Sequence, residues 1–511
     1  MDEFQLQELL FNICIKINDH ILAKEENDDL RFIDHYMFQA TSYVISILHD
    51  DIMRNVNSYC KSFLYRSLIE NIAIINMYMA GDITEDAKEL INNYNYIIEF
   101  NTYRKYKDVL EGKQFYFDQM RENFSKAKEI YRDALDNINS EEFRRLINSK
   151  APFLGENYSF DKLVQKYCSD LYQYYRVFSV MVHPNDLVLT IDLHQNIDYK
   201  FMQSKLYRTM VVAVEKYYSN EKITSNKTLR QEMTIVSSDP LNNAYLNMAT
   251  EQKKILYGLA KMIADKYGNN MQSETYRELG NSIESIAIDK TFGFNEIVKS
   301  KFKMVIEMIA LEYYIASIPH DIDNIYLTQL ISKHTRIKLM EIYGIDTTEK
   351  WKDAYNCYLK SGDNISFEDF KIKFSSMLGF IPESTSISKL VYTFIDKITE
   401  DETFRAHRRM LYDEAQNLSH ANGYMIIANS GAFMEYSTVT TFLDSSIEYL
   451  LNLFYFQHKL YNETEGEHKA NKFVYEIGKA LRLFKRVAKQ KNKMDFDFKD
   501  FKLPYKGNIK F

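Results

Sequence analysis

Apolar side chains recur along this chain at steps of three and four, the spacing that puts them on one face of an α-helix. In residues 60–80 the stripe runs through Phe63, Ile69, Ile72, Ala73 and Asn76 or Met77. Comparable spacing covers most of the sequence, so the pattern predicts helix after helix. Expected breaks fall at Pro152, Pro184, Asp239-Pro240, Pro319 and Pro382, with Gly155, Gly268 and Gly379 as cap or loop residues. Only Leu187–Tyr199 alternates weakly, which predicts a short extended piece.

Composition agrees with that pattern. Gly and Pro number 15 and 6 in 511 residues, too few for the turns of a sandwich, barrel or propeller. The chain is 46% hydrophobic and 14% aromatic, which excludes a disordered or fibrous polymer. A length of 511 exceeds what one hydrophobic core usually serves, about 250 to 300 residues, so two domains are expected. The polar stretch Ser219–Asn243 is the natural junction. The expectation is an all-α protein with a first helical domain over 1–225, a linker over 226–239 and a second domain over 240–511.

The two halves share landmarks in one order. Arg66-Ser-Leu-Ile-Glu70-Asn-Ile-Ala73 faces Lys303-Met-Val-Ile-Glu307-Met-Ile-Ala310, with Glu307 lying 237 positions after Glu70. The same spacing separates Tyr106 from Tyr343, Tyr175 from Tyr412, His183 from His420, and Asn185 from Asn422. Leu154-Gly155 resembles Leu378-Gly379 at 224, and Lys162-Leu-Val164 resembles Lys389-Leu-Val391 at 227, so small insertions must compensate. This order predicts an internal duplication, with two similar bundles packed as a pseudo-dimer about an approximate two-fold axis.

Charge narrows the partners. The net charge of -7 gives no global attraction to nucleic acid or anionic membrane, so an RNA surface must be local. The richest local source is His468–Lys493, where nine cations, among them Lys479, Arg482, Lys485, Arg486, Lys489 and Lys491, stand against the single acid Glu476. Phe473, Val474, Ile477, Leu481 and Phe484 make this segment an amphipathic helix, either a phosphate-binding surface or a plain solvated face. Beyond it, Phe496, Phe498 and Phe501 alternate with charges and suit an extended tail.

Other chemistry is thin. Cys14, Cys60, Cys168 and Cys357 are far apart, with no zinc spacing, and fit a reducing cytoplasm. The first twenty residues lack the form of a signal peptide, and no apolar run approaches the ~20 residues of a membrane span. Gly362–Asp369 lacks a calcium-loop ligand series and reads as a loop with Ser366 as an N-cap. No phosphate loop, dinucleotide turn, zinc-protease pair or nucleophile elbow occurs, and no cofactor or metal is expected.

One polar constellation stands out. At about 100° per residue, Tyr172, Tyr175, Arg176, Ser179 and His183 share one helix face ahead of Pro184. Arg66 and Glu70 form an i, i+4 pair on another helix, which packing would bring against His183. Around His420 the second half has Arg405, Arg409, Tyr412 and Gln416, with Asp413 in the slot of Arg176. The constellation reads either as a site or as a hydrogen-bond network that orients helices.

Arg176 and His183, separated by six residues near a helix end, resemble the R-x(4–6)-H motif of the HEPN superfamily of helical RNases and nucleotide-binding proteins. Arg66-x3-Glu70 with Tyr175-x3-Ser179-x3-His183-Pro184 also resembles an uncharacterised family of bacterial all-helical proteins. The HEPN resemblance implies metal-independent RNA cleavage in a toxin or phage-defence setting, at a site where two such domains meet. His183 would then move a proton, Arg176 would stabilise the phosphoryl charge, and Ser179 or Tyr175 would position it. Glu70 and Arg66 would support them, while Glu307, Tyr412, His420 and Asn422 would be the second copy's equivalents. This sequence departs from the pattern at Val177, where HEPN RNases carry a polar residue, and at Asp413. The other reading is a non-catalytic helical scaffold or sensor that binds a protein or nucleic acid.

Overall fold

The computed structural model describes residues 3–25, 30–54, 59–85, 87, 105, 145, 159–182, 193, 196–221, 240–291, 295–317, 322–360, 365–374, 386–417, 436–464 and 472–497. Among them the protein is all-α, with no strand. Pro152, Pro184, Pro319, Pro382, Gly155, Gly379, the linker 226–239 and the tail beyond 497 lie outside the described residues. Of the weakly alternating piece, Leu193 and 196–199 are described; Leu193, Asn196 and Tyr199 are helical, and none of the five is in a strand.

The first half contains α1 (Glu3–Glu25), α2 (Phe32–Arg54), α3 (Tyr59–Met79), α4 (Phe160–Tyr167), α5 (Tyr172–Met181) and α6 (Tyr199–Tyr217). α3 is the hub, touching α2, α4, α5 and α6, while α6 returns to α1. Its apolar stripe explains this: Phe63, Leu64, Leu68, Ile69, Ile72 and Ile75 are all sealed, and Tyr65 stacks on Phe178 of α5 at 5.5 Å.

The second half contains α7 (Pro240–Tyr267), α8 (Met271–Thr291) and α9 (Asn295–Ser317), then α10 (Ile322–Ile342), α11 (Thr348–Leu359) and α12 (Phe367–Lys373). It closes with α13 (Ile387–Ile398), α14 (Glu402–Asn417), α15 (Tyr436–Thr464) and α16 (Lys472–Asp497). α9 is the corresponding hub, against α8, α13, α14 and α15. Pro240 opens α7 rather than ending a helix, a role suited to a residue without an N–H at the first helical position. Gly268, at φ +78°, turns the chain toward α8. Ser366 caps α12 by accepting from the Asp369 amide at 3.1 Å, as the sequence suggested.

Helix starts repeat. α7, α8, α9 and α15 begin 237, 239, 236 and 237 positions after α1, α2, α3 and α6, whereas α13 and α14 follow α4 and α5 by 227 and 230. The drift has a simple source: 80 residues separate α3 from α4 but 69 separate α9 from α13. The cap is repeated too. Ser159 accepts from the Lys162 amide at 3.3 Å and Ser386 from the Lys389 amide at 3.2 Å, and each is followed by a buried Leu-Val pair.

The halves meet through α2 and α3 on one side and α8 and α9 on the other, and buried apolar residues from α1 to α16 form one contiguous cluster. The polar contacts there are reciprocal. Ser46 of α2 donates to Asp289 of α8 at 2.8 Å, while Ser285 of α8 donates to Asp50 of α2 at 2.9 Å. Both pairs come from a Ser-Ile-x-x-Asp sequence, Ser46–Asp50 and Ser285–Asp289. One group breaks the symmetry: Lys301 of α9, fully buried, reaches Asp289 at 2.5 Å and Asp50 at 3.1 Å, where the position 237 earlier is Leu64.

α10–α12 carry a smaller core of their own around Leu330, Ile337, Tyr358, Phe370 and Phe374. This arm leaves the second half and packs α10 against α5 of the first. The opposite crossing occurs at Lys105, from the segment between α3 and α4, which binds Asp413 of α14 at 2.5 Å and Tyr392 of α13 at 3.1 Å.

Candidate functional site

α3 sets Arg66 and Glu70 one turn apart, Nε to Oε1 at 3.3 Å, with Glu70 fully buried. α5 brings Tyr175 over them, and its hydroxyl donates to Glu70 Oε1 at 3.2 Å. Burial first and the Glu70 charge second raise the Tyr175 hydroxyl far above its ordinary pKa, so it remains a donor. The Arg66/Glu70 pair therefore meets α5 at Tyr175, inside the protein; the expected meeting with His183 falls outside the described residues. Ser179, half-buried, donates to the Tyr175 carbonyl at 2.8 Å. Arg176 is half-buried and lies 5.9 Å from the Tyr172 ring, and Tyr172 donates to Asp161 at 2.9 Å. His183 lies outside the described residues.

The second half repeats the core of this arrangement. Lys303 takes the place of Arg66, 3.3 Å from Glu307, and Tyr412 donates to Glu307 at 2.8 Å. Gln416 donates to the Tyr412 hydroxyl at 3.1 Å and to Ser388 at 2.6 Å. Asp413, in the Arg176 slot, accepts from Tyr392 and pairs with Lys105. His420 and Asn422 lie outside the described residues. Arg405 and Arg409 turn outward to Asp396, Arg409 at 2.5 Å.

The sequence reading placed Lys303 opposite Arg66 but missed that three lysines of α9 are buried. Lys299 pairs with Glu414 at 3.0 Å, Lys301 with Asp50 and Asp289, and Lys303 with Glu307. Only the last had a local signal, its i, i+4 spacing. Beside Lys301, burial pushes His49 down to about 4, so this imidazole is neutral at pH 7. Burial raises Asp289 to about 6 against the pull of Lys301. Sealed carboxylates held by hydroxyls and ammonium groups orient helices, and they offer no open face to a substrate. Among the described residues no group of His, Cys, Asp or Glu is placed to hold a metal ion.

The open polar surface is α16. Its inner face buries Phe473, Ile477, Leu481, Phe484 and Ala488 against α7 and α15. Lys491 belongs to that inner face and is not a surface cation: it is buried against Asp444 at 2.9 Å and Gln252 at 2.7 Å. On the outer face Lys472, Tyr475, Lys479, Arg482, Arg486, Lys489 and Lys493 are all exposed. They follow one another by three or four residues and form a single stripe about 31 Å long at 1.5 Å per residue. Lys485, also exposed, stands beside the stripe and is paired with Glu448 at 2.8 Å. Between Lys472 and Lys493 the helix carries one acid, Glu476, 3.7 Å from Lys479. In comparisons with family models, curated proteins and solved structures nothing matches the chain, so function must be read from geometry.

Proposed function

We propose that the protein is a non-catalytic helical scaffold that binds RNA along the outer face of α16. The observation that carries this reading is the stripe itself: six cations and one tyrosine on one helix face, in a chain whose net charge is -7. Such a row neutralises successive phosphates and releases their counterions, while an exposed Tyr475 supplies a ring on which a base stacks. The burial of Glu70, Tyr175, Glu307 and Tyr412 supports a scaffold, because these groups are consumed in holding helices together. The test is binding of a labelled RNA by the full chain, with Arg482, Arg486 and Lys489 changed to Ala. Loss of affinity irrespective of sequence is expected.

A second reading, HEPN-like cleavage of RNA without metal by Arg176 and His183, is favoured by one observation. Arg176 is half-buried and, among the described residues, no carboxylate pairs with it. RNA cleavage by the purified protein that disappears in both Arg176→Ala and His183→Ala would establish it. Undiminished cleavage in either variant, or none in the wild type, rejects it.

We also infer that the chain arose by duplication into domains of 1–225 and 240–511 that pack as a pseudo-dimer. The repeated helix starts, the paired Ser159/Ser386 caps, the two Glu–Tyr contacts and the reciprocal Ser–Asp contacts all support this descent.

A further inference from the structure

Where the α10–α12 arm leans on the first half, a cleft of about 760 Å³ opens between α10, α11 and Leu193. One face of α10 lines it, and the chemistry changes along that face. Gln329, Ser332, Lys333 and Arg336 come first, followed by Ile337, Met340 and Tyr343. From Lys333 to Tyr343 is about 15 Å along the helix. The turn after α10 extends the apolar end. Gly344 at φ +68° accepts a backbone shape that a side chain strains, and it sets Tyr343 and Ile345 at the mouth, each about half exposed. Across the cleft Leu193 supplies an aliphatic wall.

The cations are unevenly committed. Lys333 is bound to Asp353 at 2.5 Å. Arg336 forms no ion pair among the described residues, and Lys350 stands on the opposite lip. The cleft is therefore lined by the planar guanidinium of Arg336, the ammonium of Lys350 and the paired Lys333 and Asp353, with Ile337, Met340, Ile345 and Leu193 as aliphatic walls. Its volume is that of a small-molecule site, in which apolar walls give affinity and a few polar groups fix orientation.

We propose that this cleft binds an acyl anion, a carboxylate with an aliphatic tail, with the carboxylate on Arg336 and Lys350 and the chain along Ile337, Met340, Ile345 and Leu193. The guanidinium fork matches a carboxylate in two parallel hydrogen bonds. Ile337, Met340, Ile345 and Leu193 favour a methylene chain over a nucleobase, for which this end of the cleft offers only the Tyr343 ring and hydroxyl. The site is separate from α16 and does not depend on RNA binding.

The experiment is calorimetric titration of the full chain with octanoate, decanoate and dodecanoate, each below its aggregation concentration. One saturable site is expected, with affinity rising about fourfold per added methylene. Arg336→Ala should weaken dodecanoate about ten- to hundredfold through loss of a charged hydrogen bond, and dodecanol should bind as weakly to the wild type. Ile345→Asp, at an exposed position, puts a like charge at the tail end and should also abolish binding without unfolding the arm. Affinity that ignores chain length, binding unchanged in both variants, or displacement of dodecanoate by AMP at lower concentration would each overturn the proposal. The α16 triple variant should bind dodecanoate like the wild type, so failure of one proposal leaves the other readable.

Discussion

Replacing Lys301 by Met removes the one cation that two buried carboxylates share. Lys301 is fully buried, with Asp289 at 2.5 Å, Asp50 at 3.1 Å, and hydrogen bonds to Ser46 at 3.1 Å and Ser285 at 2.5 Å. Each opposite charge at such separations is worth about 5–7 kcal/mol at an effective dielectric near 20, and each buried ion costs several kcal/mol in lost hydration. Breaking the cluster from one side leaves the second term without the first, so Lys301→Met should cost about 3–5 kcal/mol at pH 7.5. In urea unfolding followed by helical circular dichroism, that is a midpoint lower by about 1 M or more for a slope near 3 kcal/mol per molar.

The cost has a pH signature. Asp289 titrates at about 6 in the folded protein against an ordinary 3.8 because burial disfavours its charge. A carboxyl raised in this way favours folding while protonated, and its contribution is lost as pH rises from about 4 through 6. Without Lys301 the carboxyl rises further, so the variant's deficit should be largest at pH 7.5 and shrink at pH 5. Adding Asp289→Asn to Lys301→Met should recover at least half the deficit. A deficit below about 1 kcal/mol, or one that does not change with pH, would refute this account of the interface.

Other expectations follow from the same contacts. Tyr412→Phe and Tyr175→Phe each remove a hydroxyl donor to a buried carboxylate and should cost about 1.5–3 kcal/mol. Tyr412→Phe should cost more, since its contact is 2.8 Å against 3.2 Å; equal midpoints for wild type and both variants in urea would contradict this. Glu312 is raised from 4.5 to about 7 by burial, so the folded protein loses stability as pH rises from about 4.5 through 7. Glu312→Gln should remove that slope and melt higher than wild type at pH 8, a comparison that thermal unfolding at pH 5 and 8 decides. Gly478→Ala places a methyl 2.9 Å from the Tyr455 ring where α16 packs on α15; overpacking should lower stability by about 1–3 kcal/mol.

Much of the fold was legible because a helix writes its buried face into local spacing. The residues of α3 that the pattern picked out at Phe63, Ile69, Ile72 and Ala73 are all core. Glu70, Glu307, Tyr175 and Tyr412 were found as a set by their common separation of 237, and each tyrosine does meet its glutamate. What local spacing could not disclose was burial of charge. Nothing in the local spacing of Lys299-Ser-Lys301-Phe-Lys303 shows that Lys301 is sealed, and only folding brings Asp50, some 250 residues away, to it. Lys491 was indistinguishable from its exposed neighbours for the same reason, since Asp444 and Gln252 arrive from other helices. Nor could local spacing show that Asp413, the second half's counterpart of Arg176, is held by Lys105, which crosses from the opposite half.

The most direct test of RNA binding along α16 is the salt dependence of the full chain's affinity for a single-stranded RNA. Six phosphate contacts predict a slope of log K against log salt of about -4, at 0.7 per contact. Arg482→Ala, Arg486→Ala and Lys489→Ala together should flatten it by about 2 and weaken every sequence alike. An unchanged slope in the triple variant, or no salt-dependent binding by the wild type, would contradict the account.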